Sequence, residues 1–333
     1  MARRDLVLAG DIGGTKTNLA LFSVQGERLR SETSRSFPSK RYSGLEPVLQ
    51  EFLAGDKHSI DSACFGIAGP VVDGKVKTPN LPWMVDSSEL SRSLKLDSVG
   101  LLNDLEATAY GIFTLENDEF CTLNEGTMRH SGNKTLIAAG TGLGQAILYD
   151  DGRRFHPLAS EGGHADFAPR NDLEIELLRY LMARFHHVSY ERVLSGPGLF
   201  NIYQFLKESR GLEEPKWLAE RLAGGEDPSA VISKAALANE AEICVKALEF
   251  FVSVYGAEAG NLALRAKSVR GLYVGGGIAP KILPKLKDGT FMRAFGDKGR
   301  YADLLAAVPV QVVLNDQAAL RGAAYYAAFL SGD

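Results

Sequence analysis

Leu6-Val7-Leu8-Ala9-Gly10-Asp11-Ile12-Gly13-Gly14-Thr15-Lys16-Thr17-Asn18-Leu19-Ala20-Leu21 reads as a short apolar strand, a glycine turn carrying Asp and Thr, and a second apolar strand. A second copy of the idea follows far downstream, in Leu136-Ile137-Ala138-Ala139-Gly140-Thr141-Gly142-Leu143-Gly144-Gln145-Ala146-Ile147-Leu148. Glycines let backbone N–H groups approach an anion closely, and Thr adds a hydroxyl donor. Two such turns facing each other across a cleft can hold the phosphates of one nucleotide. A single glycine hairpin carries little information, so the duplication is the informative part.

Around the first hairpin, strand and helix alternate. A third strand is expected near Arg28–Phe37, then a helix over Leu45–Leu53 closed by Gly55. Ala63–Pro70 reads as a buried parallel strand ending in a turn. Asp86 with Glu89 has capping-box spacing and starts a helix through Leu96. Val99–Asp104 is a further strand and Leu105–Ile112 the helix leaving it. This alternation predicts an α/β unit with a largely parallel central sheet. After the second hairpin, His156 to Asn171 reads as a loop-rich stretch. Helices are expected over Leu173–Phe185, Leu199–Lys207 and Lys216–Leu222, with a long run from Ser229 to Ala266. Leu272–Val274 is a strand delivered onto Gly275-Gly276-Gly277, Gln311–Leu314 the last strand, and Gln317–Phe329 an alanine-rich helix.

The chain has 333 residues, enough for two domains, with 45% hydrophobic and 23% charged residues. A net charge of −4 argues against a nucleic-acid surface. The three cysteines, Cys64, Cys121 and Cys244, are scattered, which fits a reducing cytosol and gives no zinc signature. The apolar run after the basic start ends at Asp11, too short for a signal peptide, and there is no membrane-spanning run. The chain reads as cytoplasmic, with no nucleic-acid or membrane partner.

Several side chains can carry chemistry. Asp104 ends a strand and begins a helix, where open α/β sheets bind ligands. It reads equally as an N-cap, and the two roles are compatible, since a helix N-terminus keeps a carboxylate ionised. Ala159–Phe167 sets Glu161 and His164 around two glycines, and Glu191 precedes Ser195-Gly196-Pro197-Gly198. Carboxylates and imidazole suit a polyol, because they accept or exchange hydroxyl hydrogens. Each is also an ordinary turn or surface residue. Asn80 lies in the rigid loop Pro79-Asn80-Leu81-Pro82-Trp83, whose indole either shapes a pocket or seals a core. The triple glycine at 275–277 permits close approach of a base or of a helix.

In order along the chain, Gly10-Asp11-Ile12-Gly13-Gly14-Thr15, Leu102-Asn103-Asp104, Ala139–Gly144, Ser160–His164, Glu191–Gly198 and Gly275–Pro280 form a specific set. Taken together they resemble the bacterial glucokinase family, the non-ROK branch of the hexokinase and actin-like ATPase superfamily. The resemblance implies two actin-like, ribonuclease H-like α/β lobes around a central cleft. The small lobe would span 1–114, joined by the C-terminal helix at about 315–330, and the large lobe 115–314 with helical insertions. It implies ATP-dependent phosphorylation of glucose to glucose 6-phosphate. Gly10, Asp11, Ile12, Gly13, Gly14 and Thr15, with Gly140, Thr141 and Gly142, would form the phosphate turns. Asp11 would position Mg²⁺ through water, and Gly275, Gly276 and Gly277 would line the adenosine. Asn103, Asp104, Glu161, His164 and Glu191 would hold the glucose hydroxyls, with Asp104 as base on the 6-hydroxyl. Asn80 resembles an asparagine that ROK kinases place near the sugar. The cysteine-rich zinc motif of the ROK branch is absent, so no structural metal is expected. The resemblance also implies a homodimer. Rival readings are a kinase for another hexose or phosphoryl donor, a non-catalytic sugar sensor, and an actin-like filament or chaperone ATPase. The sensor reading would need a helix-turn-helix, for which the strand starting near residue 5 leaves no room. The filament or chaperone reading has no use for Glu161, His164 and Glu191.

Overall fold

The computed structural model describes residues 6–26, 28–55, 59–78, 81–127 and 129–330. The chain divides into two units, Met1–Glu119 with Asn315–Asp333, and Phe120–Leu314.

The first unit opens with β1 (Leu6–Ile12), β2 (Lys16–Gln25) and β3 (Arg28–Pro38), followed by α1 (Leu45–Phe52) and β4 (Ser62–Ile67). The short hairpin β5 (Lys75–Lys77) and β6 (Met84–Asp86), then α2 (Ser87–Leu94), β7 (Val99–Asn103) and α3 (Asp104–Gly111), complete its N-terminal part. The sheet order is β3-β2-β1-β4-β7. Pairing is antiparallel from β3 to β1 and parallel from β1 through β4 to β7. The sheet is therefore mixed, because a turn of a few residues can reverse the chain only into an antiparallel partner. β4 is buried at all six residues, as a central strand covered on both faces must be. Alternate residues of β1 enter different cores. Leu8 and Ile12 join Phe37, Phe65 and Trp83, while Val7 and Ala9 join Cys64, Ala107 and Ala323. α1 supplies Leu45, Val48, Leu49 and Phe52, spaced along one helical stripe, to the first of these cores. Trp83 is 1% exposed and donates its indole N–H to the Tyr42 carbonyl at 3.0 Å, so its role is to seal the core. Pro79 and Asn80 lie outside the described residues. α2 is capped by Asp86 through the Ser88 N–H at 2.8 Å. It ends at Leu94, two residues short of expectation, because Lys95 turns left-handed.

The second unit begins with β8 (Phe120–Asn124), β9 (Lys134–Ala139), β10 (Leu143–Asp150) and β11 (Phe155–Ser160). Helices α4 (Asp172–Met182), α5 (Gly196–Glu208), α6 (Lys216–Ala223), α7 (Pro228–Leu237) and α8 (Glu242–Ala266) follow. β12 (Leu272–Gly275), α9 (Leu283–Lys287), α10 (Thr290–Gly296), α11 (Ala302–Ala306) and β13 (Val310–Val313) close it. The sheet order is β11-β10-β9-β12-β13-β8. Part of the stretch expected to be loop is thus strand β11, whose Pro157 is tolerated on a sheet edge. The long run from Ser229 is two helices, separated where Asn239 takes a left-handed conformation that a short amide tolerates. α8 is buried along most of its length and runs through the core of this unit.

The last helix, α12 (Ala318–Phe329), leaves β13 but belongs to the first unit. Its Leu320, Ala323, Ala324 and Ala327 cover the sheet face that carries Val7 and Ala9. α12 and α3 pack backbone to backbone. A Cβ at Gly322 would overlap the Ala107 carbonyl, and one at Gly111 the Ala318 carbonyl.

Candidate active site

In the first unit, parallel pairing brings the carboxyl ends of β1, β4 and β7 to one edge, with Ile12 beside Ile67 and Ile67 beside Asn103. The 13–15 turn and the Asn103–Asp104 step therefore share that edge, where ligands of open α/β sheets bind. The turn is held from below. Gly13 N–H donates to the Lys16 carbonyl at 2.9 Å, and Ser39 N–H donates to the Thr15 carbonyl at 3.0 Å. The Ser39 hydroxyl donates to the Gly13 carbonyl at 2.7 Å and contacts the Thr17 hydroxyl at 3.0 Å. Thr15 and Lys16 are left exposed. Gly10 and Ile12 are buried in β1, and a Cβ at Gly10 would lie 2.5 Å from Phe65 Cδ1. Packing alone accounts for that glycine.

The Asp11 carboxylate accepts from Asn18 Nδ2 at 3.2 Å. Burial pushes its pKa above the ordinary carboxylate value, against the Asn18 hydrogen bond, and the charge of Asp316 pushes the same way as burial. Asp316 was not singled out from sequence, because it lies far along the chain, between β13 and α12.

The N-cap of α3 is Asn103, not Asp104. Asn103 Oδ1 accepts from Leu105 N–H at 2.9 Å, while Glu106 returns a bond to Asn103 N–H at 3.0 Å. Asn103 Nδ2 donates to the Gly69 carbonyl at 3.1 Å. Asn103 thus ties two loops of the edge together, its oxygen occupied by the capping of α3. Asp104 is the first helical residue and accepts from Leu105 N–H at 2.9 Å. The helix N-terminus favours its ionised form.

In the second unit, the 140–142 turn is the hub. Glycine gives it close contacts on three sides. Gly276, at φ +82°, turns the chain after β12 so tightly that a Cβ would overlap the Ala139 carbonyl, and Ile278 N–H donates to that carbonyl at 3.2 Å. The N-terminus of α5, capped by the Ser195 hydroxyl, meets the turn through a Gly196 N–H bond to the Gly140 carbonyl at 2.8 Å. Glu191 braces the third side, its Oε2 accepting from Leu143 N–H at 3.0 Å. Glu191 is therefore no surface helix residue. It sits half-buried in a 3-10 turn over Tyr190–Arg192. Gly140 and Gly277 face open space, with nothing within 4 Å of an added Cβ.

Gly163 lies against the Leu143 carbonyl, which carries the Gly162–His164 turn onto the same hairpin. Tyr190 N–H donates to the Ala165 carbonyl at 2.9 Å, joining that turn to the one bearing Glu191. His164 and Glu191 line one cavity of about 360 Å³. Glu161 Oε2 is 3.9 Å from His164 Nε2, and both side chains are more than half exposed, at 68% and 60%. This unit thus brings together Glu161, His164, Glu191, the 140–142 turn and the 275–277 turn. A larger cavity, about 730 Å³ and lined by Arg170, Glu174, Phe250 and Arg293 among others, contains none of them and plays no part in this arrangement.

The family model for Glucokinase matches residues 8–329 of the chain. A glucokinase from Nostoc sp. (strain PCC 7120) is 44% identical over 340 residues, covering 98% of this chain and 99% of that protein. A glucokinase from Yersinia pestis is 36% identical, covering 96% and 95%. Among solved structures, that of a glucokinase from an Antarctic psychrotroph aligns with a TM-score of 0.84 at 31% identity, over 96% of this chain and 98% of that one.

Proposed function

The chain belongs to the glucokinase family, and from that premise we infer how its residues divide the phosphorylation of glucose between them. The fold is the two-lobed α/β fold of the actin and hexokinase-like ATPases. The enzyme transfers a phosphoryl group from ATP to glucose, giving glucose 6-phosphate and ADP.

Asp104 accepts the proton of the 6-hydroxyl as that oxygen attacks the γ-phosphorus. The observation that carries this assignment is the division of labour at the edge of the first unit. Asn103 does the capping, and Asp104 follows it at the carboxyl end of β7, on the sheet edge that also carries the 13–15 turn. Asn103 holds a neighbouring hydroxyl. Glu161, His164 and Glu191 hold the rest of the ring, with Asn80 assigned to the same task. The 13–15 and 140–142 turns donate backbone N–H groups to the phosphates, and the 275–277 turn receives the adenosine. Phosphoryl transfer depends mainly on position and charge, so these turns count as much as the base.

Magnesium, when bound, neutralises charge on the transferring phosphates. Asp11 fits that ion. Its carboxylate is desolvated beside a second carboxylate, Asp316, an arrangement that a divalent cation relieves. Both would hold the ion, Asp11 through water. The same reading makes the enzyme a homodimer of the cytoplasm. Three unpaired cysteines are in keeping with a reducing compartment, and no helix among the described residues is long and apolar enough to cross a membrane.

A coupled assay of the purified chain against a panel of hexoses, with ATP, GTP, ADP and polyphosphate as donors, tests the reading. Turnover is expected with glucose and ATP, and only with magnesium present. Undiminished turnover in excess chelator would remove the metal from the scheme, and preference for another hexose or donor would replace the substrates. Sedimentation velocity checks the dimer.

A further inference from the structure

Glu258 is 0% exposed, in the middle of α8, and carries a charge that phosphorylation of glucose does not itself require. Its Oε1 accepts from Gln145 Nε2 at 2.9 Å and from the Arg265 guanidinium. Its Oε2 accepts from Asn261 Nδ2 at 3.0 Å. Asn261 Nδ2 also donates to the Tyr190 hydroxyl at 3.1 Å, so that amide joins Tyr190 to Glu258. Lys298 closes the group, donating to Asn261 Oδ1 at 2.7 Å.

The two outer members of this network touch the two turns assigned to the sugar. Gln145 stands opposite Ser160 in the β10–β11 pairing, and its amide fills the space a Cβ of Gly162 would need, at 2.5 Å. Gly162 opens the turn that carries His164, with Glu161 just before it. Tyr190 precedes Glu191 directly, and its ring packs edge-on against Phe167 at 5.7 Å between centroids. One carboxylate is therefore linked to both turns, through Gln145 to the first and through Asn261 and Tyr190 to the second. One helical turn earlier, the Tyr255 hydroxyl accepts from Ala139 N–H at 3.2 Å and faces the Gly275 carbonyl at 3.4 Å. α8 thus supports the nucleotide turns through Tyr255 and the sugar turns through Glu258.

We propose that Glu258 is a positioning residue for glucose, fixing the 161–164 and 190–192 turns relative to each other through Gln145 and Tyr190. A buried charge with every partner in place resists displacement, because moving either turn leaves a polar group unpaired. Precision in hydroxyl recognition demands such support, since small misplacements of hydrogen-bonding groups are costly. The inference rests on the assignment of Glu161, His164 and Glu191 to the sugar.

The test compares Glu258→Gln, Tyr190→Phe and Glu191→Gln, measuring the KM of each substrate, kcat and Tm. Tyr190→Phe keeps the ring packing and removes only the hydroxyl. Both Glu258→Gln and Tyr190→Phe are expected to raise the glucose KM about fivefold or more, the effect of a disturbed hydrogen bond, with the ATP KM unchanged within about twofold. A lowered Tm with unchanged glucose KM would make Glu258 a stability residue and overturn the proposal, as would an equal rise in both KM values. Where Glu258→Gln does not fold, Tyr190→Phe decides alone. If Glu191→Gln raises the glucose KM and Tyr190→Phe does not, the positioning role fails while the sugar site stands. If Glu191→Gln has no effect, the sugar assignment falls and takes this inference with it.

Discussion

In the first unit β3-β2-β1-β4-β7, and in the second β11-β10-β9-β12-β13, follow one scheme: two antiparallel steps into a central strand, then two parallel steps out of it. The glycine turn follows the central strand in both. What fills the scheme differs. The first turn is pinned by Ser39 and carries a desolvated carboxylate, Asp11, with a second acid nearby. The second carries no acid and is braced by Glu191, Gly196 and Gly276. Glycine itself has different reasons in the two places. Gly10 is glycine because Phe65 occupies the space of its Cβ, whereas Gly140 faces nothing in the protein. The same strand scheme thus carries a desolvated carboxylate in the first unit, and bare glycine backbone braced by Glu191 in the second.

That division is open to attack by substitution. The largest effect is expected at Asp104. Asp104→Asn is nearly isosteric, and Asn103 retains the capping role, so Tm should move by only a few tenths of a kcal/mol in equivalent stability. General-base help is worth about 10²–10⁴ in rate, and turnover should fall within that range while glucose still binds within about tenfold. Steady-state turnover beside a fluorescence titration with glucose decides it. Near-normal turnover would remove proton chemistry from the first unit. Next comes Glu191→Gln. The amide oxygen can still accept from Leu143 N–H, so the turn is kept, but an acceptor proposed to meet the sugar becomes a donor. An unsatisfied buried hydroxyl costs roughly 1–3 kcal/mol, so the glucose KM should rise about fivefold to a hundredfold while the ATP KM stays put. An ATP KM that rose instead would assign Glu191 to the phosphate turn that it braces.

Two alanine substitutions sharpen the contrast between the glycines. Gly140→Ala adds a methyl group into open space, so the fold should tolerate it within about 0.5 kcal/mol. The same methyl group should hold a phosphate off the backbone and raise the ATP KM about tenfold, equivalent to about 1.4 kcal/mol. Gly10→Ala should do the opposite, overpacking the core against Phe65 at about 1–3 kcal/mol with the ATP KM of the folded fraction unchanged. Thermal unfolding and steady-state kinetics on the pair read both quantities. If the two variants behave alike, the two turns do the same job and the contrast collapses.

Much of this molecule is legible from local signals. The strand–turn–strand pattern at 6–21 and the apolar run at 63–67 needed only periodicity and glycine placement, because each is a short buried strand beside a tight turn. Phe155–Ser160 was not legible, since Pro157 and its exposed residues carry loop chemistry, and only an edge position makes them a strand. The break between α7 and α8 had a signal in Asn239, but a helical stripe on both sides of it outweighs one residue. At the site, Glu161, His164 and Glu191 could be picked out by type. That Glu191 would lean on Leu143, or that Gln145 would face Glu258, depends on contacts between residues far apart in the chain. Asp316 and Ser39 were missed for the same reason. Asn103, not Asp104, caps α3, because the cap belongs to the residue with extended backbone one step earlier.

The return of α12 to the first unit has a consequence for the order in which the protein can be made. Chains emerge from the ribosome N-terminus first, and domains tend to fold as they appear. Here the strands synthesised first have one sheet face covered by Leu320, Ala323, Ala324 and Ala327, residues synthesised among the last. Val7, Ala9 and Cys64 must wait in an uncovered state while the whole second unit, which is continuous in sequence, is translated and free to fold. A chain stopped before residue 315 should therefore keep a protease-resistant second unit and lose resistance in the first. Mass spectrometry of the resistant fragments would show it, and equal resistance in both units would refute it. The N-terminal turn that reads most clearly in the sequence is then among the last parts of the molecule to become structure.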